Sequence, residues 1–289
     1  MNNIKYWIWF SNLKELNCIQ KNNILEYISL ERLWNLNIND LKKLNQKIDN
    51  KLEEKELYCI KDINYRVNLD KYEEYYKKNN ISLITIKDAK YPEKLKNIYD
   101  KPIVLFCKGN LELLNKNSIA IIGSRKCSKY GMDMSKKIAY MISKSDKCVV
   151  SGLARGIDSF AHIGSLQAKG DTIAVLGHGF DMVYPLENKQ LYEEIINRNG
   201  LIVCEYNIGT KIDRKNFPAR NRIISALSDA IIVVEAKKRS GTLSTVDFAL
   251  EYGKEIFAVP GNIDSINSEG TNNLIKQGAN IFTDINDII

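Results

Sequence analysis

The chain has 289 residues, of which 44% are hydrophobic and 27% charged, a composition typical of globular proteins that argues against a disordered or collagen-like chain. Because it offers neither an apolar run of the roughly 20 residues that cross a bilayer nor a signal peptide, we expect a cytoplasmic protein without a membrane partner. The excess of Lys and Arg (42) over Asp and Glu (35) fits an anionic partner, although a genome that favours lysine would produce the same excess.

The first part of the chain predicts an all-helical domain, which we delimit as residues 1–80. This region contains no glycine or proline, and its apolar residues recur every three or four positions, for example over 24–33 and 36–48. Tyrosines and lysines alternate over 65–78, which would also suit nucleic-acid binding. These tyrosines equally form an ordinary helix face, and we favour packing for them.

From Ile81 onward, short β-branched runs alternate with helical stretches and glycines, which is the pattern of βα units. Most of these runs are apolar on both faces, as strands are when helices cover both sides of a parallel sheet. The sequence therefore predicts an α/β domain over residues 81–289 with a doubly wound, mostly parallel sheet. We predict strands at 81–86, 103–106, 119–122, 148–150, 172–176, 201–204, 230–234 and 255–259.

The loops that follow these strands are rich in glycine, hydroxyl and guanidinium groups. Ligands of doubly wound sheets bind beyond the carboxyl ends of the strands, so these loops are the first candidates for a site. Gly123, Ser124 and Arg125 follow one predicted strand and can offer backbone, hydroxyl and cation to a phosphate. The loop 151–158 repeats this chemistry with Arg155, for which an ordinary surface arginine is the alternative.

The densest basic segment lies before and within a helix that a proline is expected to open. Its aromatic ring can stack on any base while its cations neutralise phosphates, which suits a single nucleic-acid strand. The alternative is that Phe217 packs in the core and that Arg222 pairs with Glu235. The binding residues predicted in this segment are Arg214, Lys215, Phe217, Arg220, Asn221 and Arg222.

A second basic turn, with Arg239, Ser240 and Gly241, precedes the next predicted helix and can also receive an anion. Catalytic patterns are missing: the chain shows no nucleophile with its base, no paired-carboxylate site, no GxxxxGK[ST] loop and no GxGxxG dinucleotide fingerprint. Its 6 cysteines form no CxxC pair and only 2 histidines are present, which argues against a metal centre. The sequence therefore predicts binding rather than catalysis, without a cofactor.

Taken in order, these loops resemble the DprA/Smf family of DNA-processing proteins. The motifs that carry the resemblance are 123–125, 151–158, 176–185, 217–228, 239–242 and 258–262. The resemblance implies a Rossmann-like domain after a helical, SAM-like region. It also implies sequence-independent binding and protection of single-stranded DNA, a homodimer, and the loading of a RecA-type recombinase on incoming DNA during natural transformation.

The family's DNA-binding residues can be carried over to matching positions of this chain. Two departures limit the transfer: residues 1–80 lack the glycine hairpin of helix-hairpin-helix domains, and no winged-helix module follows before Ile289. The matching positions are Gly123, Ser124, Arg125, Arg155, Phe217, Arg220, Asn221, Arg222, Arg239, Ser240 and Gly241, with Arg214 and Lys215 as weaker matches.

A nucleotide-binding or nucleotide-hydrolysing enzyme is the alternative function. Rossmann-like hydrolases of the lysine-decarboxylase-like group resemble this core and carry a PGGxGTxxE loop with a catalytic carboxylate. When Gly241 and Thr242 are aligned on the GT of that loop, Thr245 stands where the glutamate belongs. The loss of this carboxylate would remove the acid-base role, which only Glu235 or Glu251 could then supply.

Overall fold

The computed structural model describes residues 4–49 and 51–288, so residues 1–3, 50 and 289 lie outside the described part. Helices occupy most of the described residues before position 80, as the apolar spacing predicts. They are α1 (Ile4–Asn12), α2 (Cys18–Tyr27), α3 (Leu30–Asn35), α4 (Ile38–Asn45), α5 (Glu54–Lys61) and α6 (Leu69–Lys78). Within the described residues, no helix combines the length and apolarity that a membrane span requires.

Every predicted strand is present. The strands are β1 (Ser82–Thr85), β2 (Val104–Gly109), β3 (Ser118–Gly123), β4 (Cys148–Ser151), β5 (Thr172–Val175), β6 (Leu201–Cys204), β7 (Ala230–Glu235), β8 (Glu255–Ala258) and β9 (Asn280–Ile281). The sequence analysis missed β9, because a strand of two exposed residues has no apolar run to reveal it. The later helices are α7 (Glu93–Lys96), α8 (Lys129–Lys144), α9 (Ile157–Gln167), α10 (Lys189–Asn197), α11 (Asn216–Leu227), α12 (Leu243–Glu251) and α13 (Glu269–Lys276).

All the strands form one sheet in the order β1-β2-β6-β5-β4-β3-β7-β8-β9. The part from β5 to β9 is parallel throughout and has the strand order of a Rossmann fold, with β3 as its first strand. Strand β6 extends this part in parallel, whereas β1 and β2 are antiparallel additions at the edge. The predicted fold class is therefore confirmed, and the strand order reverses between β3 and β7.

Helices cover both faces of the sheet, which explains why most strands are apolar on both sides. On one face α11, α12 and α13 pack on residues such as Ile122, Val175 and Ile231. On the other face α8 and α9 pack on residues such as Ile121 and Val149. Burial of these β-branched side chains, at roughly 25 cal/mol per Å² of apolar surface, stabilises the sheet and fixes the strand ends relative to one another.

The helical region continues the core of the second face and lies over β2, β5 and β6. Trp9 and Phe10 belong to the same buried cluster as Phe106 and Cys204 of the sheet. The Tyr76 hydroxyl donates a hydrogen bond of 2.7 Å to the Asn207 side chain. The tyrosine-rich segment therefore packs, as favoured above, while the boundary of a separate domain at residue 80 stays a prediction.

Candidate functional site

The reversal of strand order opens a cleft at the carboxyl edge of the sheet, where a doubly wound fold binds its ligand. Its walls come from the loops after β3, β4, β5, β6 and β7 and from the first turns of α11. We call this space the cleft, and it has two connected parts. The residues shared by both parts are Arg125, Ala154, Tyr184, Phe217 and Arg220.

The first part is a small pocket of about 370 Å³, including space open to solvent. Aromatic, aliphatic and backbone groups form most of its walls, and three arginines complete them, a mixture typical of sites that hold a small organic group. Besides the shared residues, the pocket is lined by Gly152, Arg155, Leu176, Gly177, His178 and Pro185.

The second part is an open groove of about 1810 Å³ that runs along the sheet edge from β4 toward the loop after β7. It is rich in glycine, hydroxyl and cationic groups, and it contains most of the predicted site residues. Besides the shared residues, the groove is lined by Ile122, Gly123, Ser124, Lys126, Asp158, Ile212, Arg214, Pro218, Asn221, Ile224, Lys237, Ser240, Gly241, Thr242 and Thr245.

Phe217 lies at the junction of the pocket and the groove. Its ring is half-buried, 5.2 Å from the Arg125 guanidinium and 5.7 Å from the Tyr184 ring. Gly177 permits this position, because a Cβ there would lie 3.0 Å from the ring. Phe217 is therefore not a core residue, and one side of the cleft presents a ring beside a cation.

Arg220 forms the floor of the cleft. Its Nη1 donates to the carbonyl of Gly152 at 2.8 Å and also to the carbonyl of Val175, so the side chain joins the ends of β4 and β5 to α11. Burial lowers the pKa of the guanidinium to about 10, while the nearby Asp158 carboxylate opposes this shift. Because this pKa stays well above 7, Arg220 remains cationic at neutral pH.

Asp158 is the acidic group of the cleft lining and lies at the first turn of α9. It is 8% exposed, and the backbone N–H of Gly152 donates to its carboxylate at 3.2 Å. Burial raises its pKa, and the charge of Arg220 acts in the opposite direction. Its contacts show that Asp158 fixes the loop after β4 and balances part of the charge of Arg220.

Most predicted site residues meet in the cleft, but three do not line it. Lys215 and Arg239 are exposed on the loops that flank the groove. Arg222 is 4% exposed and forms a bidentate ion pair with Glu205, at 2.6 and 2.7 Å, together with an ion pair to Asp100 at 3.1 Å. Contrary to expectation, Arg222 therefore does not line the cleft, and its ion pairs stabilise the interior of the protein.

Glu235 does not pair with Arg222, as the alternative in the sequence analysis had it, because its carboxylate is bound by another residue. Its buried carboxylate accepts hydrogen bonds from the Ser128 backbone at 2.9 Å and from the Ser128 hydroxyl at 2.5 Å, at the N-terminus of α8. This helix follows the first strand of the Rossmann order, and its N-terminus is where a dinucleotide places its pyrophosphate. The chain's own carboxylate thus occupies that position, which disfavours a dinucleotide there.

The carboxylates considered for a hydrolase are poorly placed for catalysis in the cleft. Both oxygens of Glu235 are bound by Ser128. Glu251 ends α12, at the opposite end of that helix from the cleft, and accepts a bond from the Tyr99 hydroxyl at 3.4 Å. Thr245, which replaces the catalytic glutamate of the alternative family, lines the groove as a buried side chain.

The lining residues that the sequence analysis did not predict include two lysines and an aromatic residue. Lys126 follows Arg125 directly, and Lys237 lies in the second basic turn, but lysine is so frequent in this chain that neither position was distinctive. Tyr184 lies against Phe217, 33 residues earlier in the chain, so only the fold shows the contact. With these additions the cleft cations are Arg125, Lys126, Arg155, Arg214, Arg220 and Lys237.

Fold and site together define a Rossmann-like protein with a cation-lined cleft at the point where its strand order reverses. Residues 82–289 match the model of the family described as DNA recombination-mediator protein A. The chain belongs to this family, which confirms the resemblance to DprA/Smf proteins.

Relatives support this assignment over most of the chain. The DNA processing protein DprA of Streptococcus pneumoniae is 44% identical over 205 residues, which are 71% of this chain and 72% of the relative. The protein of the same name from Bacillus subtilis is 42% identical over 214 residues, which are 74% of this chain and 72% of that protein.

Two solved structures show the same fold. The X-ray structure of DprA from Streptococcus pneumoniae matches with a TM-score of 0.82 and 35% identity, and the match covers 100% of this chain and 98% of that one. DprA from Helicobacter pylori, solved for its single-stranded DNA binding mode, matches with a TM-score of 0.64 and 31% identity over 71% of this chain and 93% of that one.

We expect Arg222→Met to destabilise the protein by about 3–5 kcal/mol, because it leaves the partly buried carboxylates of Glu205 and Asp100 without their buried cation. Urea denaturation measures the free energy of unfolding. Arg32→Met is the matched control, since Arg32 is exposed and its side chain forms no ion pair in the described part of the chain. A loss of no more than about 1 kcal/mol, the value of a surface pair, would contradict a buried role for Arg222.

Proposed function

We propose that this protein binds and protects single-stranded DNA without sequence preference and loads a RecA-type recombinase on incoming DNA during natural transformation, acting as a homodimer. Membership of the recombination-mediator family supports this proposal. So does the similarity to the Helicobacter pylori protein, whose single-stranded DNA binding mode has been described.

The observation that carries the proposal is the position of Arg125 over the Phe217 ring, 5.2 Å away, between the pocket and the groove. The ring offers a stacking surface for a base, and the guanidinium can grip the adjacent phosphate through two hydrogen bonds. In a duplex the bases are stacked on their neighbours and paired, so they cannot reach a ring at this depth. The arrangement therefore favours a single strand.

The absence of sequence preference follows from the groups that face the groove. Every base has a π-face, so the Phe217 ring can stack on any of them. The cations contact phosphates, which are the same at every nucleotide. The groove crosses the ends of β4, β3 and β7 next to the pocket at β5, a span of three strand spacings or roughly 14 Å. Each protomer accordingly holds only a few nucleotides.

The first test of this proposal is Arg125→Ala. Loss of a charge-assisted contact worth roughly 1.5–3 kcal/mol should weaken binding of oligothymidine about tenfold or more without unfolding the protein. Fluorescence anisotropy at several salt concentrations measures the affinity. If a protomer neutralises about four phosphates, the slope of log K against log salt is roughly −3 for the wild type.

Arg32→Ala serves as the matched control for this test, because it removes an exposed arginine from the helical region. A matched duplex and free nucleotides complete the ligand set. Unchanged affinity of Arg125→Ala would refute the assignment of this residue. Weak binding to all DNA, together with saturable binding or hydrolysis of a mononucleotide, would refute the proposed function and support the hydrolase.

The Phe217 ring is tested by substitutions that differ in stacking. Phe217→Leu keeps an apolar side chain but removes the ring, so we expect it to lose about 1–3 kcal/mol of binding free energy, or roughly 5- to 150-fold in affinity. Phe217→Tyr retains the ring and should bind within a few-fold of the wild type. If the leucine variant binds oligothymidine as well as the tyrosine variant does, the ring does not stack on a base.

Homodimer formation predicts a dependence on strand length. Two clefts on one dimer can bind the same strand, and the second contact then occurs at a high effective concentration. Affinity for oligothymidine should therefore rise steeply once the strand spans both clefts. The measurement is a titration with oligothymidines of increasing length, with the mass of the protein in solution determined in parallel. Equal affinities for short and long strands, or a monomeric mass, would contradict the dimer.

A further inference from the structure

One exposed cation of the cleft is distinguished from the other exposed cations by an ion pair with a carboxylate. The Arg155 guanidinium lies 2.6 Å from a carboxylate oxygen of Glu187, and both side chains are exposed, at 55% and 61%. Within residues 4–49 and 51–288, the structure shows no ion pair for the other exposed cations of the cleft lining. These cations are Arg125, Lys126, Arg214 and Lys237.

The turn that carries Glu187 is bonded to the segment that carries Arg155. Glu187 lies in a single turn of 3₁₀ helix, Leu186–Asn188, that follows Pro185 of the pocket wall. The Asn188 side chain donates to the carbonyl of Leu153 and to the Ser159 hydroxyl, both at 2.8 Å. These bonds tie the turn to the loop that carries Arg155. The pair is therefore built into the rim of the pocket.

The carboxylate of Glu187 is ionised at neutral pH, because its own backbone N–H and the Arg155 side chain hold its pKa below the ordinary value. An exposed pair of this kind is weak, since water and salt screen it. The Arg155–Glu187 pair has a single N–H···O contact, at 2.6 Å. A phosphate can bind a guanidinium through two such bonds. A phosphate that reaches Arg155 can therefore displace Glu187.

We infer that Glu187 is an affinity-determining residue of the DNA site: its carboxylate is the counter-ion of Arg155 in the free protein, and a DNA phosphate has to displace it. This inference rests on the proposed function. It has two consequences for binding. Arg155 contributes less to the affinity than the unpaired Arg125, and binding releases fewer counter-ions than the number of cleft cations would indicate, because the freed Glu187 carboxylate takes one up.

The test is Glu187→Gln, which keeps the size of the side chain and removes its charge. We expect this variant to bind oligothymidine up to about fivefold more tightly at low salt, which corresponds to the most that an exposed pair contributes. The salt slope should steepen by about 0.7, the value for one further counter-ion released from a single strand, because no freed carboxylate takes up a cation in this variant. Glu193→Gln is the matched control, because Glu193 is an exposed acid of α10 with no ion pair among the described residues.

A double-mutant cycle separates displacement of this pair from a general change in charge. In an Arg155→Ala background, Glu187→Gln should no longer raise the affinity, since the cation that it releases is absent. The inference is overturned if the gain persists in that background, if Glu193→Gln produces the same gain, or if Glu187→Gln produces none. These outcomes leave the proposed function standing, provided that the wild type binds oligothymidine and that Arg125→Ala binds it about tenfold or more weakly. A wild type that fails to bind refutes both.

Discussion

The cleft depends on one buried guanidinium. Arg220 binds the carbonyls of Gly152 and Val175, so a single side chain holds together the ends of two neighbouring strands and the helix that carries Phe217. A buried cation without partners would be strongly unfavourable, and the two carbonyls with the nearby Asp158 compensate it. The site is thus organised around a positive charge that belongs to the framework, and the exposed cations are arranged on the loops that it fixes.

A second internal charge changes what the Rossmann framework can bind. In dinucleotide-binding relatives of this architecture, the first helix after the first strand directs its N-terminus at a pyrophosphate. Here the carboxylate of Glu235 satisfies that helix end through Ser128. The space that remains for a ligand is the groove across the ends of β4, β3 and β7, together with the pocket at β5.

Those features of the fold and the cleft that leave a local pattern in the sequence could be predicted, and contacts between distant segments could not. Strands covered on both faces leave continuous apolar runs, and glycine-rich loops mark their ends, so the sheet and most of the cleft could be predicted from the sequence.

The sequence analysis wrongly assigned Arg222 to the binding site. Arg222 lies only two residues after Arg220, yet about 200° further around α11. Phe217, Arg220 and Asn221 are three and four residues apart and share one face, while Arg222 points to the core. The pairs of Arg222 with Glu205 and of Arg155 with Glu187 join distant segments and leave no local signal.

The two faces of α11 have a consequence for the thermodynamics of association. One face presents the Phe217 ring to the cleft, and the opposite face is anchored through Arg222 to Glu205 and Asp100. Because its other face is anchored, the helix is already ordered before a ligand binds. In the proposed complex with DNA, the conformational entropy lost on binding falls mainly on the flexible strand, and a strand stiffened by stacking of its own bases has to be unstacked before it can enter.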